Sequence, residues 1–456
     1  MAERTTRGTG AGRARSEKSL SDIDALIRSS RKKYGETAIM TASELLARQR
    51  RILVPTGSFA LDCILGGGFP IGVPVGLYGN AGSGKTMLAN SAAANYLRMF
   101  PESRAFCVVT EGDVPSVAWE LFAMDLSRLH VILQSEYGER TMNVLYDILD
   151  ALQQSDPDRL APDPVAGVIL IDSISGLLPV QDKTKLDSEG LEGKTMGTHA
   201  KLVSEIMNKF VGTGKFANAL AIVTSQVRQD VGAYVPTDKP TGGNAFLHYT
   251  KLRIKLTSSH ASSRKVTYGQ IEGLESLYGM EWLKGASKDL VIGHIVEAEV
   301  VRNSTYARPP RGTAISPRTA YRVIYDYGFD NYSAVLETAI SIGQVVVSGS
   351  YFQWQDLRVQ GKHAFLLELT RSGKWPEFER LIRELVFTRT PATIAGATAL
   401  YPPMVVSEPQ QTMPTVTHEP SSPSDHSLLS VGDDWDKGSD WDEEGNDDLD
   451  VETELV

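Results

Sequence analysis

The chain has 456 residues, of which 41% are hydrophobic and 22% charged, enough to bury a large core and to carry at least one further domain. Two cysteines, Cys63 and Cys107, exclude a disulfide scaffold and read as core thiols in a reducing compartment, and the eight histidines show no metal-ligand spacing with them. No apolar run approaches the roughly 18 residues that a membrane span needs, so a soluble protein without a membrane partner is expected.

The first 20 residues carry Arg4, Arg7, Arg13, Arg15 and Lys18 against Glu3 and Glu17, which reads as a basic arm rather than an organellar transit peptide. Ser21 to Lys33 then places Ile23, Leu26 and Ile27 at helical spacing behind an N-cap serine. One short amphipathic helix is not stable by itself, so it must dock on its own core or on a neighbouring subunit.

Gly-rich turns at Gly57 and Gly66 to Gly68 lead to the most informative stretch. Val75 to Tyr78 is a short apolar strand, Gly79, Asn80, Ala81, Gly82, Ser83, Gly84, Lys85 and Thr86 satisfy G-x-x-x-x-G-K-[ST], and Met87 to Met99 is a helical run. In a loop of this kind the glycines let backbone N–H groups point at phosphate oxygens, and the helix N-terminus attracts the same charge. Lys85 neutralises phosphate and Thr86 can hold Mg²⁺, so nucleotide binding is expected.

Three β-rich apolar runs follow, Phe106 to Thr110, Val168 to Ile171 and Leu220 to Thr224, separated by helical patterns. Alternating strands and helices with apolar faces on both sides predict an α/β fold with a parallel sheet covered on both faces and ligand groups at the strands' C-terminal ends. Each run ends in chemistry. Glu111 can accept a proton from a water attacking a γ-phosphate or orient that water. Asp172 can hold Mg²⁺ through its water shell, and Gln226 can hydrogen-bond a γ-phosphate and report its presence. Two Gly-, charge- and Pro-rich stretches, 185–197 and 228–243, read as long loops, the second starting two residues after Gln226.

With these residues in hand, the chain resembles the RecA family of recombinases, in the bacterial and phage branch that includes UvsX-like proteins. The resemblance spans about residues 24–386. It rests on KKYGETAIM, TGSFALDCILGGGFPIG, GNAGSGKT, VVTEG, LIDSISGL, TSQVR, TGGNA, VVRN, YDYGFD and VVVSGSYF followed by QGK. It implies a RecA-type ATPase core with a mostly parallel central sheet over 51–327, after a basic arm and an N-terminal oligomerisation helix in 1–50. A small C-terminal α/β domain over 328–390 and a Pro-rich linker with a disordered acidic tail over 391–456 would complete the chain.

The resemblance also implies an activity. It is that of an ATP- and Mg²⁺-dependent DNA recombinase, a DNA-dependent ATPase that forms helical filaments of identical subunits on single-stranded DNA and pairs it with duplex DNA. Such a protein works in recombination and repair in a bacterial or phage-infected cytoplasm, with single-strand-binding or loader proteins as further partners. Lys85 and Thr86 become the phosphate and metal residues, Glu111 the catalytic glutamate, Asp172 the second metal residue and Gln226 the γ-phosphate switch. Arg302 would reach the neighbouring subunit's γ-phosphate. Met196, Gly197, Lys201, Ser204, Arg228, Val231, Gly242 and Gly243 match positions that contact or adjoin DNA. A hexameric helicase on the same core, or a nucleotide-gated mediator, are the alternative activities.

Several positions depart from the family pattern. Ser304 stands where a second cross-interface lysine is usual, with Arg308 nearby. Asn208 replaces an arginine, and the adenine-stacking aromatic falls near Ala118, beside Trp119. Between Leu256 and Val296 the chain is longer than the pattern, and SLYGMEWLKG there reads as an extra surface helix. Arg358, Lys362 and Lys374 are candidates to gather duplex DNA or a solvated face, with Trp354 and Trp375 as core residues.

The segment from Pro391 to Ser430 holds seven of the 22 prolines and reads as a linker. From Val431 to Val456 twelve Asp or Glu stand against Lys437 alone, a local charge of −11 against a formal net charge of −10, so the rest of the chain is nearly neutral. That acidic tail is either solubilising or a DNA mimic competing for the protein's own cationic surface.

Overall fold

Six strands, the inner ones buried on both faces, form the parallel half of a ten-stranded mixed sheet, the α/β arrangement that the alternating pattern predicts. The structure is a computed structural model. It describes residues 10–35, 38–44, 52–154, 167–177, 201, 203–209, 219–229, 238–241, 243–258, 264–305 and 318–387.

In chain order, helix α1 (Gly10–Tyr34) comes first, then β1 (Leu53–Val54), α2 (Phe59–Leu65), β2 (Phe69–Pro70), β3 (Pro74–Gly79) and α3 (Lys85–Met99). The chain continues through β4 (Ala105–Val109), α4 (Ser116–Leu121), β5 (Leu129–Leu133), α5 (Thr141–Gln154), β6 (Val168–Asp172) and β7 (Leu220–Ser225). After these come β8 (Val227–Gln229), β9 (Asp238–Pro240), α6 (Gly243–Tyr249), β10 (Leu252–Ser258), β11 (Lys265–Thr267), β12 (Val291–Asn303), β13 (Arg318–Ile324) and β14 (Gly328–Phe329). The last elements are α7 (Asn331–Ser341), β15 (Val346–Ser348), β16 (Tyr351–Trp354), β17 (Leu357–Gln360), α8 (Lys362–Arg371) and α9 (Trp375–Phe387).

The sheet runs β14-β13-β12-β10-β3-β7-β6-β4-β5, with β11 on β12; β10, β3, β7, β6, β4 and β5 are parallel and the rest antiparallel. The two-residue period divides the core in two. Val168, Leu170, Leu220, Ile222, Cys107 and Val109 face one side, against Leu88, Ala89, Ala92 and Ala93 of α3. Ile169, Ile171, Ala221, Val223 and Val108 face the other, against Met142, Leu145 and Leu149 of α5, Phe246 of α6, and Val203, Ile206 and Met207. Each of the Val, Leu, Ile, Met and Phe side chains among these, fully buried, stabilises the fold by about 1.5–3 kcal/mol. Cys107 is a core thiol, as expected.

The stretch after β10 departs from the expected surface helix. Residues 264–290 fold as β11 and a series of single turns, and Tyr268, Ile271, Leu274, Leu277, Tyr278, Met280 and Leu283 are buried in one cluster with Leu336, Phe365, Leu369, Phe378 and Ile382. The segment is therefore largely interior packing between the antiparallel strands and the C-terminal helices, with Trp282 exposed at 71% and Leu290 at 41%. Tyr278 Oη donates to Asp330 Oδ1 at 2.9 Å, and the same oxygen caps α7 through the Ser333 amide at 3.0 Å.

The C-terminal helices also reach the turns that precede β3. Asn331 Oδ1 accepts from the Phe59 amide and Asn331 Nδ2 donates to the Gly57 carbonyl, both at 2.9 Å. On α9, Phe378, Ile382 and Val386 bury one face at four-residue spacing, while Phe387 meets Phe59 edge-on at 5.9 Å and Arg383 lies over the Phe59 ring at 4.8 Å. Beside them β15, β16 and β17 form a three-stranded antiparallel sheet, so this region is mixed α/β. Trp354 is buried there and Trp375 packs against Phe378.

Candidate functional site

The site begins where β3 ends. A Cβ on Gly79 would sit 2.1 Å from the Leu256 carbonyl oxygen, and Gly84, the N-cap of α3, has a φ of 85°, so neither position tolerates a side chain without strain. Between them the loop wraps the Lys85 ammonium, which donates to the Gly79 carbonyl at 2.9 Å and the Asn80 carbonyl at 2.8 Å, with Ser83 Oγ at 3.5 Å. Lys85 is only 8% exposed; burial pulls its pKa below the ordinary lysine range, while Asp172 and Glu111 act to hold it up. Asn80, Ala81 and Gly82 line the loop's rim, all three exposed.

The strand ends converge on this loop as expected. Thr86 Oγ1 donates to Asp172 Oδ2 at 2.6 Å, and Thr224 Oγ1 to Asp172 Oδ1, also at 2.6 Å. Gln226 Nε2 donates to Glu111 Oε1 at 2.8 Å, and Ser173 Oγ donates to the same oxygen at 2.5 Å. Thr110 bridges the two strand ends, donating through its hydroxyl to the Ser173 carbonyl and accepting from the Ser173 amide, both at 2.8 Å. The Asp172–Ser173 peptide is cis.

Thr86 Oγ1 and Asp172 Oδ2 are hard oxygen donors on one side of a lysine-bearing loop, a set that fits magnesium carried by a nucleotide phosphate. Lys85, Thr86, Glu111, Asp172 and Gln226 are thus one constellation. Arg302 does not join it. It sits at the end of β12 opposite Arg253, which is in register with Gly76 near the start of β3, so it lies at the far end of the sheet from the loop. There Arg302 donates to the Leu247 carbonyl at 2.9 Å and to Ser304 Oγ at 2.9 Å.

Sequence reasoning missed Ser173, Ser175, Thr224 and Thr241, whose signal is a small hydroxyl residue at or just past a strand end. Ser175 Oγ accepts from the Gln226 amide at 3.2 Å and from Thr241 Oγ1 at 2.7 Å. Trp119 is a core residue. It is buried and donates through Nε1 to Asn90 Oδ1 at 2.8 Å, which fixes α4 against α3 and does not offer its face to a ligand.

The expected DNA positions are only partly described. Met196, Gly197, Val231, Gly242, the first loop at 185–197 and Arg308 lie outside the described residues. Lys201 is exposed and 3.8 Å from Glu205, Ser204 is half-buried one turn along, and Asn208 is exposed on the same helical stretch. The second loop is not irregular at its root: β8 and β9 pair antiparallel there, with Arg228 opposite Lys239, and Gly243 opens α6. Alternation was hidden because each strand is three residues long. In the C-terminal region Lys362 pairs with Glu337 at 2.8 Å, Lys374 with Asp356 at 2.6 Å, and Arg358 covers the Tyr351 ring at 4.8 Å.

Among the described residues no helix is long and apolar enough to cross a membrane. The RecA N-terminal domain family matches residues 21–271, just over half of the chain. Relatives align well beyond that match. Protein RecA of Chlamydia abortus is 28% identical over 377 residues, covering 82% of this chain and 93% of its own. Protein RecA of Chlamydia trachomatis is 27% identical over 368 residues, covering 80% and 91%. Protein RecA of Acinetobacter baylyi is 26% identical over 372 residues, covering 80% and 92%. A phosphate-type loop, strand-end carboxylates and a glutamine at the root of a ribbon thus occur in a chain whose residues 21–271 match the family model, and the chain belongs to the RecA family.

Proposed function

We propose that the protein is an ATP-dependent recombinase that assembles as a helical filament on single-stranded DNA and pairs it with homologous duplex DNA. The observation that carries this reading is the meeting of Lys85, Thr86, Asp172, Glu111 and Gln226 at the C-terminal ends of parallel strands, with Gln226 entering the ribbon at the root of the second loop.

The residues divide the work. Lys85, now resting on two loop carbonyls, turns to the β- and γ-phosphates when a nucleotide enters, and the loop amides hold the same oxygens. Thr86 and Asp172 would hold magnesium, which supplies charge neutralisation on those oxygens, and Thr224 fixes the Asp172 rotamer from the other side. Among the described residues both hydrogen bonds to Glu111 fall on Oε1, so Oε2 is the oxygen left to orient an attacking water and take its proton. Gln226 leaves Glu111 for the γ-phosphate and carries the strand β8 with it.

Arg302, at the far end of its own sheet, serves the loop of a neighbouring copy, which makes the active unit an assembly. In this reading the segments 1–50, 51–327, 328–390 and 391–456 are oligomerisation arm, ATPase core, duplex-gathering domain and linker with acidic tail. Met196, Gly197, Lys201, Ser204, Arg228, Val231, Gly242 and Gly243 face single-stranded DNA, by backbone as well as basic contacts. The cytoplasm is where it acts.

ATP hydrolysis measured with and without single-stranded DNA tests the reading. The wild type should hydrolyse ATP faster with DNA. Lys85→Ala should lose nucleotide binding, and Glu111→Gln should bind ATP but hydrolyse it ~10²- to 10⁴-fold more slowly. Wild-type hydrolysis by Glu111→Gln removes that carboxylate from the mechanism.

A further inference from the structure

The hydroxyl groups behind Glu111 form a connected chain. Ser173 has one hydroxyl proton, and the 2.5 Å bond to Glu111 Oε1 takes it. Ser173 Oγ also stands in donor geometry 3.1 Å from Ser175 Oγ. Ser175 Oγ in turn accepts from the Gln226 amide at 3.2 Å and from the Thr241 hydroxyl at 2.7 Å. Thr241 lies 3.1 Å from Ser225 Oγ, and its amide donates to the Gln226 carbonyl at 2.9 Å.

One hydroxyl thus joins Glu111 to both strands of the ribbon, since Gln226 immediately precedes β8 and Thr241 immediately follows β9. The turn that carries Ser175 also takes a bond from Gln134 Nε2 to the Gly176 carbonyl at 2.6 Å, which ties the turn to the end of β5, two strands along the sheet from β6. A serine with a purely local role satisfies its hydroxyl within its own turn. Here Gln226 and Thr241, 51 and 66 positions away in sequence, are two of its three partners among the described residues.

We propose that Ser175 is a positioning residue that couples the Glu111 carboxylate to the β8–β9 ribbon, by a path separate from the Gln226 side chain. The proposal rests on the reading of the chain as a DNA-stimulated ATPase. When Gln226 Nε2 leaves Glu111, the direct link is broken and the Ser175 link remains. Order imposed on the ribbon by DNA then reaches Glu111 through Thr241, Ser175 and Ser173, and without Ser175 the ribbon and the carboxylate move independently.

The test measures ATP hydrolysis by the full chain, with and without an oligo-dT strand, for Ser175→Ala, Thr241→Val, the double variant and Ser175→Thr. The ratio of DNA-stimulated to unstimulated rate should fall about fivefold in each single variant, the change that one neutral hydrogen bond is worth. The double variant should lose no more than either single one, because both remove the same link. Ser175→Thr, which keeps the hydroxyl, should recover the ratio. Thr241→Val keeps the question answerable if Ser175→Ala does not fold. Full stimulation in Ser175→Ala, losses that add in the double variant, or a parallel fall in both rates with a raised KM for ATP overturns the proposal. A wild type that hydrolyses ATP but is not stimulated overturns the functional reading and the proposal with it.

Discussion

Asp62, 1% exposed, accepts two hydrogen bonds from Thr56, from its amide at 2.9 Å and its hydroxyl at 2.7 Å. Burial raises its pKa from the ordinary 3.8 to about 7, against the opposing effects of Thr56 and of Arg383. Because folding raises this pKa, the folded state holds the proton more tightly than the unfolded chain. That stabilisation is complete below about pH 4 and is lost as pH rises through about 7. Asp62→Asn keeps an oxygen for Thr56 and cannot ionise. Its melting temperature relative to wild type should therefore become more favourable from pH 5 to pH 8; a difference independent of pH contradicts the assignment. Next to it, burial first and Asp62 second push the Cys63 thiol up to about 12, so this cysteine is inert at neutral pH. At this scale the sequence was legible where a rare residue type sits at a strand end, as with Lys85, Glu111, Asp172 and Gln226. Ser175 and Thr241 were not, because a small hydroxyl in a turn is common and their meeting depends on strand order.

Strand order also decides what the elements can do. The parallel run β3, β7, β6 and β4 brings Thr86, Gln226, Asp172 and Glu111 to one edge although they span 140 positions of sequence. The two apolar faces were readable from Val168 to Ile171 and Leu220 to Thr224 alone, since uninterrupted aliphatic strands imply cover on both sides. The turns at 264–290 were not, because single turns leave no 3.6-residue period to find and their burial is set by helices that come later in the chain, over 331–387. The ribbon was hidden for a similar reason. With its root now defined by Val227 opposite Pro240 and Arg228 opposite Lys239, Gln226 lies between the carboxylate and the first ribbon strand. Gln226→Ala should leave ATP binding largely intact and remove most of the stimulation of hydrolysis by DNA; equal stimulation in mutant and wild type would mean that the ribbon is driven from elsewhere.

The described part of one chain leaves surfaces that a second copy would complete. Ile23 and Leu26 of α1 are 50% and 62% exposed, and these are two of the three apolar positions that the helical spacing marked as needing a partner, the third, Ile27, being half-buried. Arg302 sits beyond reach of its own phosphate loop, at the sheet end where β10 and β3 begin. Both features favour an open repeat in which each subunit offers one end of its sheet to the next. The acidic terminus lies outside the described residues, and its role rests on charge alone. Negative-stain electron microscopy of the full chain with single-stranded DNA and a slowly hydrolysed ATP analogue tests the assembly most directly. Regular helical filaments that require both nucleotide and DNA and are lost in Lys85→Ala are the predicted result; closed rings, or isolated particles under the same conditions, would contradict it.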